Sequence, residues 1–198
     1  MNVIFAKILL KKGRKTITRR DLINDGFDCE IFVNEIRFID SIRLKKKNYV
    51  VYIFKQQYDN LKDMFSGCSL LSTINLTNYN TDNINDVSNM FSNCSSLLSI
   101  NLSKFNTSKV SSMAWMFSGC ISLKEIDISN FNFKNLGRVS FMFSNCTGLK
   151  NIVFNSNFNI NDYIANNTFK GCSGELQDKM RKYFKNINEQ AFFSHNFA

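Results

Sequence analysis

Between residues 71 and 154 one short apolar pattern occurs four times. Leu71, Leu97, Leu123 and Leu149 are each followed three residues on by Ile74, Ile100, Ile126 and Ile152, then two residues further by Leu76, Leu102, Ile128 and Phe154. An interval of two puts the last pair on one side of an extended strand, with Asn75, Asn101, Asp127 and Val153 facing the other way. Val153 is the exception to the polar rule. A corner follows the first three strands as Tyr79-Asn80, Phe105-Asn106 and Phe131-Asn132, where the ring fills the bend and the amide satisfies loop backbone groups.

The second half of each unit has a different beat. Ile84, Val87, Met90 and Phe91, then Val110, Met113, Met116 and Phe117, then Leu136, Val139, Met142 and Phe143 fall at intervals of three, six and seven, which predicts one face of a short helix. The Gly or Asn before each cysteine is the expected helix stop, because both tolerate the left-handed conformation. The junction reads Met-Phe-Ser-Gly/Asn-Cys four times, with a worn fifth copy at 168–172, and Cys68, Cys94, Cys120, Cys146 and Cys172 are 26 residues apart. Each unit is therefore predicted as strand, corner and helix. Stacked units would share one continuous parallel sheet, with strands about 4.8 Å apart. A stack of this kind is usually a scaffold for recognition rather than a catalyst.

The flanks have patterns of their own. Residues 1–10 read as a strand and 11–14 as a hairpin turn leading into a second strand at 15–18, followed by a short helical turn at 19–25. Cys29, Ile31 and Val33 alternate, as do Ile42 with Leu44 and Val50, Tyr52 and Phe54. Residues 1–57 thus form a β-rich flank, either a degenerate first repeat or a separate unit, that closes the open end of the sheet. After Cys172 the repeat fails. Leu176, Met180, Tyr183, Phe184 and Ile187 recur at helical spacing behind Ser173 as N-cap, so 173–198 is predicted as a capping helix and tail.

The in-phase cycle L-x-x-I-x-L-S-x-F-N-T-S-x-V-x-x-M-x-x-M-F-S-x-C, clearest at residues 97–123, resembles the BspA-like leucine-rich repeats over about residues 58–172. The resemblance implies an α/β leucine-rich-repeat solenoid of 26-residue strand-corner-helix units, a surface or interaction role, and no catalytic residues to carry over.

Composition narrows the chemistry. Residues 1–62 hold 14 Lys and Arg against 7 acids, so +7 of the net +9 sits in the flank and the repeats are near neutral. Arg14, Lys15, Arg19 and Arg20 form one cluster and Arg43, Lys45, Lys46 and Lys47 another, a candidate grip for nucleic acid or an anionic membrane. The favoured partner is instead an unidentified protein, docked on the polar outward strand positions Asn75, Thr77, Asn101, Ser103, Asp127 and Ser129. The in-phase cysteines read as buried thiols filling a tight corner, ahead of disulfides and of a zinc site, whose ligand pairs two to four residues apart are missing. A serine hydroxyl at Cys120 is expected to find no partner there. The one histidine, His195, has no nucleophile held near it, so neither a catalytic set nor a cofactor is expected. Without a basic, cleavable leader or a span of about 20 apolar residues, the composition points to the cytoplasm, whereas the resemblance allows a surface location.

Overall fold

Four of the strands are the L-x-x-I-x-L segments themselves. The computed structural model describes residues 2–8, 16–24, 27–33, 36–37, 41–43, 48–156, 158–159 and 165–193. The flank supplies β1 (Asn2–Ile8), β2 (Thr16–Thr18), β3 (Cys29–Val33), β4 (Ile36–Arg37), β5 (Ser41–Arg43) and β6 (Asn48–Phe54). The repeats supply β7 (Leu71–Asn75), β8 (Ser99–Asn101), β9 (Glu125–Ile128) and β10 (Asn151–Phe154), and helix α1 (Gly174–Tyr183) follows. Each repeat strand is short because its apolar face carries only two or three inward residues before the corner turns it.

The expected α/β leucine-rich-repeat solenoid of strand-corner-helix units is overturned. Among the described residues α1 is the one α-helix, and it lies outside the repeats. Nor is there a single parallel sheet: a six-stranded mixed sheet has the order β4-β3-β6-β1-β7-β8, and β9 with β10 and β2 with β5 form separate two-stranded sheets. The flank enters the large sheet through β1, which runs antiparallel to both β6 and β7. The predicted hairpin of β1 with the next strand is also corrected, because β2 pairs with β5 instead; its turn at 11–14 lies outside the described residues.

The reason for the missing helices is local. Two residues in each unit, four apart, have left-handed backbone: Asp63, Asn89, Trp115, Phe141 and Asn167 in one row, and Gly67, Asn93, Gly119, Asn145 and Gly171 in the other. A left-handed residue cannot continue a right-handed helix. In the third unit Met116, Ser118 and Cys120 donate backwards within the unit to the carbonyls of Met113, Trp115 and Phe117. Between them, Trp115, Phe117 and Gly119 donate sideways to Ser140, Met142 and Ser144 of the next unit at 3.0, 2.9 and 2.8 Å. Alternate N–H groups thus serve local turns and the neighbouring unit. Paired turns of this kind repeat their inward side chains every three residues, as one helix face does.

Inside the stack, Phe65, Phe91, Phe117, Phe143 and Phe169 form a column of near-parallel rings with successive centroids 5.6, 5.7, 5.7 and 6.1 Å apart. Tyr52 of β6 meets the first ring edge-on at 5.4 Å and Phe192 covers the last at 5.7 Å. Beside the column run the thiols. Cys94, Cys120, Cys146 and Cys172 donate Sγ–H to the carbonyls of Phe65, Phe91, Phe117 and Phe143 at 3.0, 3.2, 3.0 and 3.1 Å. The expectation that a hydroxyl at Cys120 lacks a partner is therefore corrected: the Phe91 carbonyl is in place to accept from it.

All six cysteines are buried and unpaired. Burial raises the thiols of Cys68, Cys120 and Cys172 from the ordinary 9.0 to about 12. Between those two values the unfolded chain has lost protons that the folded chain retains, so stability is complete below about pH 9 and falls as pH rises towards 12. The expected result is a thermal midpoint that declines from pH 9 upward, and a shallower decline when Cys94, Cys120 and Cys146 are alanine. Midpoints of the two proteins that run in parallel to about pH 11 would place the thiols in contact with water.

The second left-handed row alternates Gly and Asn for a steric reason. A Cβ on Gly119 would stand 2.4 Å from Asn93 Oδ1 and one on Gly171 2.2 Å from Asn145 Oδ1, whereas one on Gly67 would meet nothing within 4 Å. Each Asn side chain lies over the Gly of the next unit. Gly67→Ala should therefore cost only the left-handed penalty of about 1–2 kcal/mol, and Gly119→Ala should cost more because the Asn93 amide must also move. Urea unfolding of both variants checks the order, and equal costs would refute the packing explanation.

Candidate interaction face

The outward residues of the large sheet line up in two rows set by strand register. One row is Val51, Phe5, Asn75 and Asn101, and the other Tyr49, Lys7, Thr73 and Ser99. On the smaller sheet Asp127 stands beside Val153 and Glu125 beside Asn151. Period-two alternation is what turns these side chains out, since Ile4, Ala6 and Ile8 of β1 and Val50, Tyr52 and Phe54 of β6 are buried beneath them.

Asn75, Asn101 and Asp127, at or next to the ends of their strands, turn the chain in the same way. Their Oδ1 atoms accept the backbone N–H of Thr77, Ser103 and Ser129 at 3.0, 3.1 and 2.9 Å. These are Asx turns, which fix the side chain and leave the remaining polar atoms on the outside. Hydrogen bonds from Ser129, first its side chain and then its backbone, hold the Asp127 carboxyl below the usual carboxylate range. The face is therefore ordered before anything binds.

The six predicted partner-binding residues fall along adjoining depressions. Asn75 and Asn101 line a groove of about 470 Å³ with Phe5, Lys7 and Tyr49. Asn101, Ser103, Asp127 and Ser129 line a hollow of about 250 Å³ where the sheet is interrupted between β8 and β9. Thr77 lies in a third depression at the corner, with Asn78 and Lys104. Sequence reasoning missed the flank's contribution. Phe5 is 45% and Tyr49 51% exposed, and Lys7 Nζ sits 5.2 Å from the Tyr49 ring centroid. Strand parity held the signal, because Phe5 and Lys7 are out of phase with the inward Ile4, Ala6 and Ile8.

The basic clusters do not come together as a described site. Arg14, Lys15, Lys45, Lys46 and Lys47 lie outside the described residues, and Arg43 is in β5. Arg20 is exposed, but Arg19 is half-buried and donates to the Phe27 carbonyl at 2.8 Å and the Cys29 carbonyl at 3.4 Å. His195 also lies outside the described residues. No helix among the described residues is long and apolar enough to cross a membrane.

The sequence matches, over residues 59–188, the model of a family described as Mycoplasma protein of unknown function, DUF285. The chain belongs to the DUF285 family. Neither a curated protein nor a solved structure matches it. The DUF285 match starts at the first repeat turn and runs through α1. Phe5, Lys7 and Tyr49 lie outside it, so the exposed face joins DUF285 repeats to a flank with its own sequence.

Proposed function

We propose that the chain is a non-catalytic interaction module that binds a protein partner through this outward strand face. The observation that carries the reading is the continuity of the two rows across β6, β1, β7 and β8, with exposed aromatics at one end and the Asn75 and Asn101 amides held by Asx turns at the other. Rigid polar groups beside exposed rings lower the ordering cost of association. Four short repeat strands alone present less than the roughly 800 Å² per partner of a standard interface, so the flank strands are needed to complete the contact.

The alternative, a polyanion gripped by the basic flank, has less behind it because Arg19 has committed donors to backbone carbonyls. Asn75→Arg, Asn101→Glu and Asp127→Arg, each shown to melt like the parent, are expected to weaken binding of the protein recovered with the full chain by tenfold or more. Undiminished binding in all three, with loss on neutralising Lys45, Lys46 and Lys47 and a steep fall with salt, would transfer the function to the flank.

A further inference from the structure

We infer that the groove lined by β1, β7 and β8 takes an extended, carboxylate-bearing peptide segment of the partner, its carboxylate on Lys7, its backbone carbonyls on Asn75 and Asn101, and a neighbouring apolar side chain on Phe5 and Tyr49. The inference rests on the strand-face reading and specifies the chemistry that the face selects.

The Asx turns decide the polarity of the groove. With Oδ1 of Asn75 and of Asn101 occupied by the N–H groups of Thr77 and Ser103, each side chain turns its NH₂ outward, and no hydrogen bond among the described residues takes those amide hydrogens. Lys7 is the single charged side chain among the described residues lining the groove, and its ammonium lies 5.2 Å from the Tyr49 ring centroid, at the β6 end of the groove. The cation matches an ionised carboxylate of a protein partner, and the two amide donors match backbone carbonyls of the same extended segment, which only accept. A volume of about 470 Å³ admits one or two side chains rather than a folded surface.

Direction follows from the change of sign along the face. Glu125 and Asp127 are exposed on β9, beyond the groove, and hydrogen bonds from Ser129 favour the charged form of Asp127. An acidic segment is repelled there and confined to the Lys7 end.

The test uses the full chain and an array of hexapeptides made in pairs, one member with glutamate beside leucine and the other with glutamine in its place. The expected result is a preference of tenfold or more for glutamate members, lost in Lys7→Gln and in Phe5→Ser and kept in Lys7→Arg, with all three variants melting like the parent. An array without glutamate preference overturns the inference, and so does a preference that survives Lys7→Gln. A preference removed only by neutralising Lys45, Lys46 and Lys47 also overturns it, in favour of a polyanion site. Self-association of the parent that Phe5→Ser abolishes would make a second copy the occupant and likewise overturn it. If the natural partner is lost with Asp127→Arg but indifferent to Lys7→Gln, the strand-face function stands and this inference alone falls.

Discussion

Phe117→Ala is expected to lower the free energy of unfolding by about 3–5 kcal/mol, the usual range for deleting a buried phenylalanine. Phe117 is fully buried in the middle of the ring column, with Phe91 and Phe143 both 5.7 Å away. Its removal breaks the column at its middle level, with two rings left on either side. Collapse around the cavity is limited, because the backbone on each side is fixed by the sideways bonds from Phe91 to Met116 and from Phe117 to Met142. Urea unfolding followed by circular dichroism gives the value, and a cost under about 1 kcal/mol would mean that the column merely fills space. The double variant Phe91→Ala with Phe117→Ala should cost less than the sum of the singles, since both remove the same contact. Phe193→Ala, at an exposed ring, should have almost no effect.

The 26-residue period was legible because each repeat is a separate copy of the same packing problem. Ile74, Leu76, Met90, Phe91 and Cys94 are buried in the structure as their phase predicts. What stayed hidden was the state of the Met-Phe segment. An apolar residue every third position suits a helix face and a pair of turns equally, and the deciding information is backbone sign. Asn89 and Asn167 hint at left-handed positions, but the equivalent residues in the third and fourth units are Trp115 and Phe141. Bulky residues seldom adopt that conformation, so the row could not be recognised from residue type. Their rings stack 3.9 Å apart, which offsets part of the backbone cost.

The interaction face was legible in the repeats and opaque in the flank. Asn75, Asn101 and Asp127 declare themselves because three copies show the same polar position between two apolar ones. Phe5 and Tyr49 are single occurrences on strands whose partners are distant in sequence. The pairing of Phe5 with Asn75 spans most of the flank. No local pattern announces a contact of that kind.

The ends of the stack carry the second large prediction, and the direction of the ladder sets it. In the paired turns the sideways N–H groups point towards the C-terminal unit, so the first turn is left with carbonyls to satisfy and the last with donors. At the start, Asn24 donates its N–H to the Met64 carbonyl at 2.9 Å, filling the place of a preceding unit. At the finish, Gln190 and Ala191 accept from Asn167 and Phe169 at 2.6 and 2.8 Å, and the Phe192 ring lies on Phe169. Arg181 of α1 fastens this segment, with its guanidinium 4.0 Å from the Phe192 ring centroid and two bonds of 3.1 Å to Glu189. Deleting residues 173–198 therefore leaves backbone donors and a bare aromatic ring on one surface. It also removes Leu176, Met180 and Phe184, all buried. Burial of three such side chains is worth about 1.5–3 kcal/mol each, and an open end with unpaired donors is a template for other chains. The truncated protein is expected to melt well below the parent and to associate in sedimentation velocity runs. A monomer with the parent's melting temperature would show that the last turn needs no acceptors, and that the C-terminal segment is not a cap.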